Sequence, residues 1–109
     1  VDSEKTAWVL VNLLSNALRY SHEGSTVTID VQYNNHNISI AVTDKGRGIA
    51  QEYVPKLFDR YFRVPGTSRE GNGLGLSISK EFIEAQGGTM TVQSEIGVGT
   101  TFTVYLCVA

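Results

Sequence analysis

The chain has 109 residues, 41% hydrophobic and 18% charged, with a formal net charge of −2. That length supports one core and one domain, 1–109, and the charge gives none of the basic excess that marks a nucleic-acid-binding surface. No apolar run nears the roughly 20 residues of a membrane span, and the single cysteine, Cys107, excludes an internal disulfide and a multi-cysteine metal centre.

In chain order, residues 3–20 predict a helix, with Asp2 or Ser3 available as its N-cap. The helix is apolar nearly all round, yet Trp8, Asn12, Ser15, Asn16 and Arg19 fall on one stripe. Burying an unpaired amide costs about 1–3 kcal/mol. The stripe therefore reads either as the seat of a polar ligand or as a solvent-facing side. His22 and His36 stand in polar, turn-like surroundings, away from any metal-ligand spacing.

Residues 26–33 alternate, with Val27, Ile29, Val31 and Tyr33 on one face, and residues 38–43 predict a second strand. Asn34-Asn35-His36-Asn37 suits the hairpin turn between them. DKGRGI follows at 44–49, placing a carboxylate beside a Gly-x-Gly turn. Asp44 could accept a hydrogen bond from an amino group while Gly46 and Gly48 admit a flat ring. Taken alone, Asp-x-Gly is more simply a surface turn.

Residues 52–57 predict a short helix. LFDRYFR, 57–63, offers Phe58, Tyr61 and Phe62 as anchors and Arg60 and Arg63 as cations, or else an exposed basic-aromatic turn. From residue 59 to 72 no period survives, and such long connections are usually functional. Glycines then stand at 71, 73 and 75, ahead of helical period over 74–86. They match neither a Walker loop nor a dinucleotide fingerprint. They read as a hinge, or as bare amides at a helix start that seat a phosphate. Gly87-Gly88 is a C-cap signal, and strands over 89–95 and 100–106 are joined by Gly97-Val98-Gly99. The order predicts an α+β fold with helices on one face of a mostly antiparallel sheet.

These signals together describe a Mg-nucleotide site. In this order they resemble the catalytic and ATP-binding domain of two-component sensor histidine kinases, in the Bergerat-fold (GHKL) ATPase superfamily. NLLSNALRYS (12–21) is similar to the N box, DKGRGI to the G1 box, LFDRYFRV (57–64) to the F box, GNGLGLSI (71–78) to the G2 box and GVGTTF (97–102) to the last glycine motif. The resemblance spans the chain. It implies a two-layer α/β sandwich with about three helices on one face of a mixed, mostly antiparallel sheet.

It further implies ATP and Mg²⁺ as cofactors, with Asn12 as metal ligand and Asn16 and Arg19 reaching the phosphates. Asp44 would accept from the adenine amino group, Gly46 and Gly48 would clear the ring, and Tyr20 and Ile49 would wall it. Thr100 or Thr101 would reach the base. Residues 59–72 would be the ATP lid, with Arg63 on the γ-phosphate and, with Asn12, catalytic. Gly71, Gly73, Leu74, Gly75 and Leu76 would complete the phosphate edge. Lys45, Asn72 and Cys107 depart from the family pattern without removing a ligand.

The implied reaction donates the γ-phosphoryl group to a histidine on a dimerisation domain outside this chain, with a response regulator downstream. Neither His22 nor His36 has the setting of that acceptor. The opening Val1-Asp2, without signal peptide, reads as an excised domain. It would be cytoplasmic, without membrane contact of its own, its parent anchored in the bacterial inner membrane. Rival readings are an anti-sigma-factor-type serine kinase, a hydrolytic ATPase of the gyrase or mismatch-repair kind, and a degenerate partner-binding module. Against the hydrolytic reading, Trp8 stands where those enzymes carry a glutamate.

Overall fold

The computed structural model describes residues 3–21, 24–62 and 75–107, and of Tyr20 the backbone only. Helix α1 runs Ser3–Tyr20. Ser3 opens the helix itself, and Asp2 lies outside the described residues. Glu4 in the first turn and Arg19 in the last complement the helix dipole. Val9, Leu13 and Ala17, four residues apart, form its buried stripe.

Strands β1 (Thr28–Asn34) and β2 (Asn37–Asp44) make an antiparallel hairpin. Its two-residue turn places Asn35 at φ 56°, in the left-handed region that asparagine tolerates. After a single 3-10 turn at Val54–Lys56, helix α2 spans Gly75–Glu84. The chain leaves α2 through a Schellman ending: Gly88 N–H donates to Ile83 O and Gly87 N–H to Glu84 O, both at 2.9 Å. Gly87 supplies the positive φ of 79°. Strands β3 (Thr89–Glu95) and β4 (Gly99–Cys107) form the second hairpin. Its turn is 96–98, one residue earlier than the glycines suggest, because Gly99 already pairs with Glu95.

The sheet order is β1-β2-β4-β3. All three pairings are antiparallel, so among the described residues the sheet is not mixed as expected. The reason is topological. The connection through α2 returns β3 in the direction of β2, but β4 lies between those two like-directed strands and separates them. Among the described residues the expected helix count is also corrected, to two α-helices and one 3-10 turn. Pro55 sits in that turn, and six residues without a sustained apolar period do not nucleate an α-helix.

The core lies between the helices and one sheet face, with Val9 and Leu13 of α1 and Ile83 of α2 over Val42, Met90, Phe102, Val104 and Leu106. Ile29, Val31 and Tyr33 share the face of their register partners Val42, Ile40 and Ile38. They nonetheless stay 50%, 56% and 66% exposed. α1 packs on β2 and α2 on β3, so the edge strand β1 projects past the helical layer.

The hairpin β3–β4 also closes onto the turn that follows β2. Gly48, at φ 76°, leaves no room for a Cβ, which would overlap the backbone carbonyl of Glu95. Gly99, at φ 143°, would likewise overlap Asp44 O. Gly97 N–H donates to Arg47 O at 2.9 Å across the same contact. Two glycines on opposite segments thus let two backbones touch.

Two stability predictions result. Leu13, 1% exposed, is with Ile83 among the largest fully buried side chains of the described residues. Leu13→Ala should cost about 2–5 kcal/mol in urea unfolding, through lost transfer energy and a cavity. Gly48→Ala should cost at least about 1–3 kcal/mol from the left-handed backbone alone, and speed amide exchange at Gly97 in the facing turn.

Candidate functional site

The C-terminal half of α1, the end of β2 and the start of α2 converge at one edge of the sandwich. α1 delivers its polar residues there because its apolar stripe binds the sheet and leaves the neighbouring stripe at the margin. A β-bridge between Ser21 and Gly46 joins the end of α1 to the turn after β2. A second tie runs from α1 to α2, where Asn12 Nδ2 donates to Ser79 Oγ at 3.1 Å. Ser79 in turn donates to the carbonyl of Gly75, the first residue of α2, at 2.7 Å. A Cβ on Gly75 would meet Asn12 Oδ1 at 2.7 Å, so a side chain there would displace the amide from its present position.

The polar stripe of α1 therefore has two fates. Asn12 and Asn16 are half-buried at the site edge, whereas Ser15 and Arg19 are exposed. Trp8 stacks edge-on against Phe82, centroids 5.3 Å apart, and Lys5 Nζ lies 5.4 Å from the Phe82 centroid. Neither alternative offered by the stripe alone describes all five residues.

Asp44 is buried, 6% exposed, at the end of β2. Its Oδ1 accepts from Gly46 N–H at 2.8 Å, which fixes the carboxylate over its own turn. The turn is a built feature and not a loose surface loop, because β3 holds it from behind. Ile49 N–H donates to Ser94 Oγ at 2.7 Å, and Ser94 also bonds Gly99 O at 3.1 Å and Thr100 Oγ1 at 2.8 Å. Gly46 is buried. Gly48 abuts Glu95 with no room for a Cβ, a steric demand of its own beside the ring clearance expected of it. Ile49 and Leu76 are partly buried against the core.

Thr100 is the register partner of Asp44, buried on the same sheet face. Thr101 belongs to the opposite face and hydrogen-bonds Thr43 at 2.9 Å. Strand alternation thus takes Thr101 away from Asp44 and leaves Thr100 beside it. In the aromatic segment, Phe58 meets Phe102 at 6.3 Å and Phe62 meets Tyr53 at 6.0 Å, so both anchor. Tyr61 is 69% exposed and does not. Arg60 also turns away, pairing at 2.9 Å with Glu81 on the exposed side of α2, which holds the guanidinium pKa raised. Arg63, Gly71, Gly73 and Leu74, and with them most of the expected lid 59–72, lie outside the described residues, as does the Tyr20 side chain.

Ser79 and Ser94 escape a reading of the sequence. Serine in the middle of a helix or strand carries no motif. The available signal for Ser79 was its place on the apolar stripe of α2, four residues before Ile83, where a buried hydroxyl needs partners.

The family model described as "Histidine kinase-, DNA gyrase B-, and HSP90-like ATPase" matches residues 1–109. The sensor histidine kinase WalK of Bacillus subtilis is 44% identical over 97% of this chain, which spans 18% of that relative's length. The mycobacterial sensor histidine kinase MprB superposes with a TM-score of 0.89 at 28% identity, over 98% of this chain and 74% of that one. Full-length ShkA, solved in complex with AMPPNP, superposes with a TM-score of 0.84 at 25% identity, over 100% of this chain and 23% of that one. The fold, the ordered glycine motifs and these likenesses agree: the chain belongs to the histidine kinase-, DNA gyrase B- and HSP90-like ATPase family, as an ATP-binding catalytic domain of the sensor histidine kinase type.

Proposed function

We propose that this domain binds Mg-ATP between α1, the turn after β2 and the start of α2, and donates the γ-phosphoryl group to a histidine on a dimerisation domain outside the chain. The observation that carries the reading is Asp44. It is a buried carboxylate with one oxygen on Gly46 N–H, beside Thr100, in a turn braced by Ser94. A rigid buried acceptor suits an exocyclic amino group, because leaving either partner unpaired is costly there.

The remaining roles follow from position. Asn16 and Arg19, on the last turns of α1, face the phosphates, and the first N–H groups of α2 add helix-dipole positive charge. Arg63 is assigned to the γ-phosphate by its motif. Among the described residues no group of three or more His, Cys, Asp or Glu could cage a metal. That fits Mg²⁺, which takes one or two protein oxygens and keeps phosphate oxygens and water, and Asn12 Oδ1 would hold it. When bound, the ion neutralises charge on the phosphate oxygens. Catalysis by this chain's own residues is then positioning: Asp44 and Thr100 orient the base, and Asn16, Arg19 and Arg63 orient the phosphates.

The acceptor histidine, a downstream response regulator and an inner-membrane anchor for the parent belong to the same proposal. Among the described residues no helix is long and apolar enough to cross a membrane. Trp8 speaks against the hydrolytic rival. One turn before Asn12 it offers an indole packed on Phe82, with no acid or base to activate water.

Asp44→Asn should weaken ATP binding by about tenfold or more in calorimetric titration, the equivalent of one charged hydrogen bond. Unchanged affinity would refute the adenine assignment. The isolated domain should also turn over ATP far more slowly than the roughly 1 s⁻¹ at the low end of typical enzymes, measured as phosphate release.

A further inference from the structure

We infer that Ser79 is a positioning residue for the metal-binding amide of Asn12, setting which of its two ends faces the nucleotide. The inference rests on the Mg-ATP reading above and deepens it.

The argument is one of proton counting. A serine hydroxyl has one hydrogen to give. At Ser79, which is fully buried, that hydrogen goes to the Gly75 carbonyl, 2.7 Å away, because a carbonyl can only accept. Every other hydrogen bond at Ser79 Oγ must then be received. Asn12 lies 3.1 Å away and can satisfy it only with its NH₂ group. The chain from Gly75 through Ser79 to Asn12 therefore has a single direction. It turns Asn12 Oδ1 away from Ser79, so that the end left for a hard cation is the oxygen.

Without this constraint the amide is nearly symmetric in shape, and half its orientations present NH₂, which repels a cation. Gly75 tightens the arrangement, since both ends of the amide lie against the place where a Cβ would stand. Ser79 touches neither metal nor nucleotide in this scheme. It acts through Asn12.

The test separates metal-dependent from metal-independent binding in the full 109-residue chain. A non-hydrolysable ATP analogue is titrated by calorimetry with Mg²⁺ and with EDTA, for the unaltered chain, Ser79→Ala and Asn12→Ala. Ser79→Ala is expected to keep its affinity in EDTA and lose roughly two- to tenfold of the gain that Mg²⁺ brings, the worth of one ordinary hydrogen bond. The Asn12 side-chain NH₂ resonances should shift in the same variant. Ser79→Cys, which keeps the volume and weakens both bonds, should lose an intermediate amount and guards against a folding defect in Ser79→Ala.

An equal loss of affinity with and without Mg²⁺ would make Ser79 merely structural and overturn the inference. So would a full Mg²⁺ gain in Ser79→Ala while Asn12→Ala loses it. If Asn12→Ala itself keeps the gain, the assignment of the metal to Asn12 fails, and the role of Ser79 falls with it.

Discussion

The contact of two backbones, the turn after β2 against the β3–β4 hairpin, is the constraint on which the site depends. Gly48 faces Glu95 and Gly99 faces Asp44 with no space for a side chain on either side. Such proximity is available only to glycine, and it converts a chemically ordinary Asp-x-Gly turn into a rigid support. Ser94 completes it by receiving Ile49 N–H and bonding to Gly99 and Thr100. A buried polar network of this kind is worth having only when every member is satisfied. Among the described residues no buried side-chain nitrogen or oxygen lacks a partner.

The second constraint is the dual character of α1. Its stripe of Val9, Leu13 and Ala17 is consumed by the core, and the adjoining stripe is carried to the margin of the sandwich. Position on the helix then decides role. Asn12 meets α2, Asn16 is half-buried one turn further on, and Trp8, one turn earlier, serves aromatic packing with Phe82. A family that includes hydrolytic ATPases and phosphotransferases can vary that margin without touching the core.

Much of the fold was legible because its signals are local. α1 and its limits follow from periodicity. The α2 ending follows from Gly87-Gly88, since a left-handed residue is required there. Four strands were visible in alternation and turn residues. What was misjudged is non-local. The sheet is antiparallel and not mixed because β4 inserts between β2 and β3, which no segment of the chain announces by itself. The exposure of Ile29, Val31 and Tyr33 depends on how far the helices reach across the sheet, again a matter of docking. The short segment around Pro55 was too brief for its helical propensity to decide the outcome.

The site divides in the same way. The sequence by itself determined the chemistry on offer: amides on α1, a carboxylate beside a glycine turn, and glycines before a second helix, in an order that names the family. Those properties reside in residue type and spacing, which folding does not alter. Only the tertiary structure decided which atoms meet. It put Thr100 and not Thr101 beside Asp44, sent Arg60 to Glu81, left no room for a Cβ at Gly48, set the Asn12 amide against Gly75, and brought Ser79 to Asn12 from 67 residues away. The reason is that hydrogen-bond direction and backbone proximity exist only once separate segments are packed together.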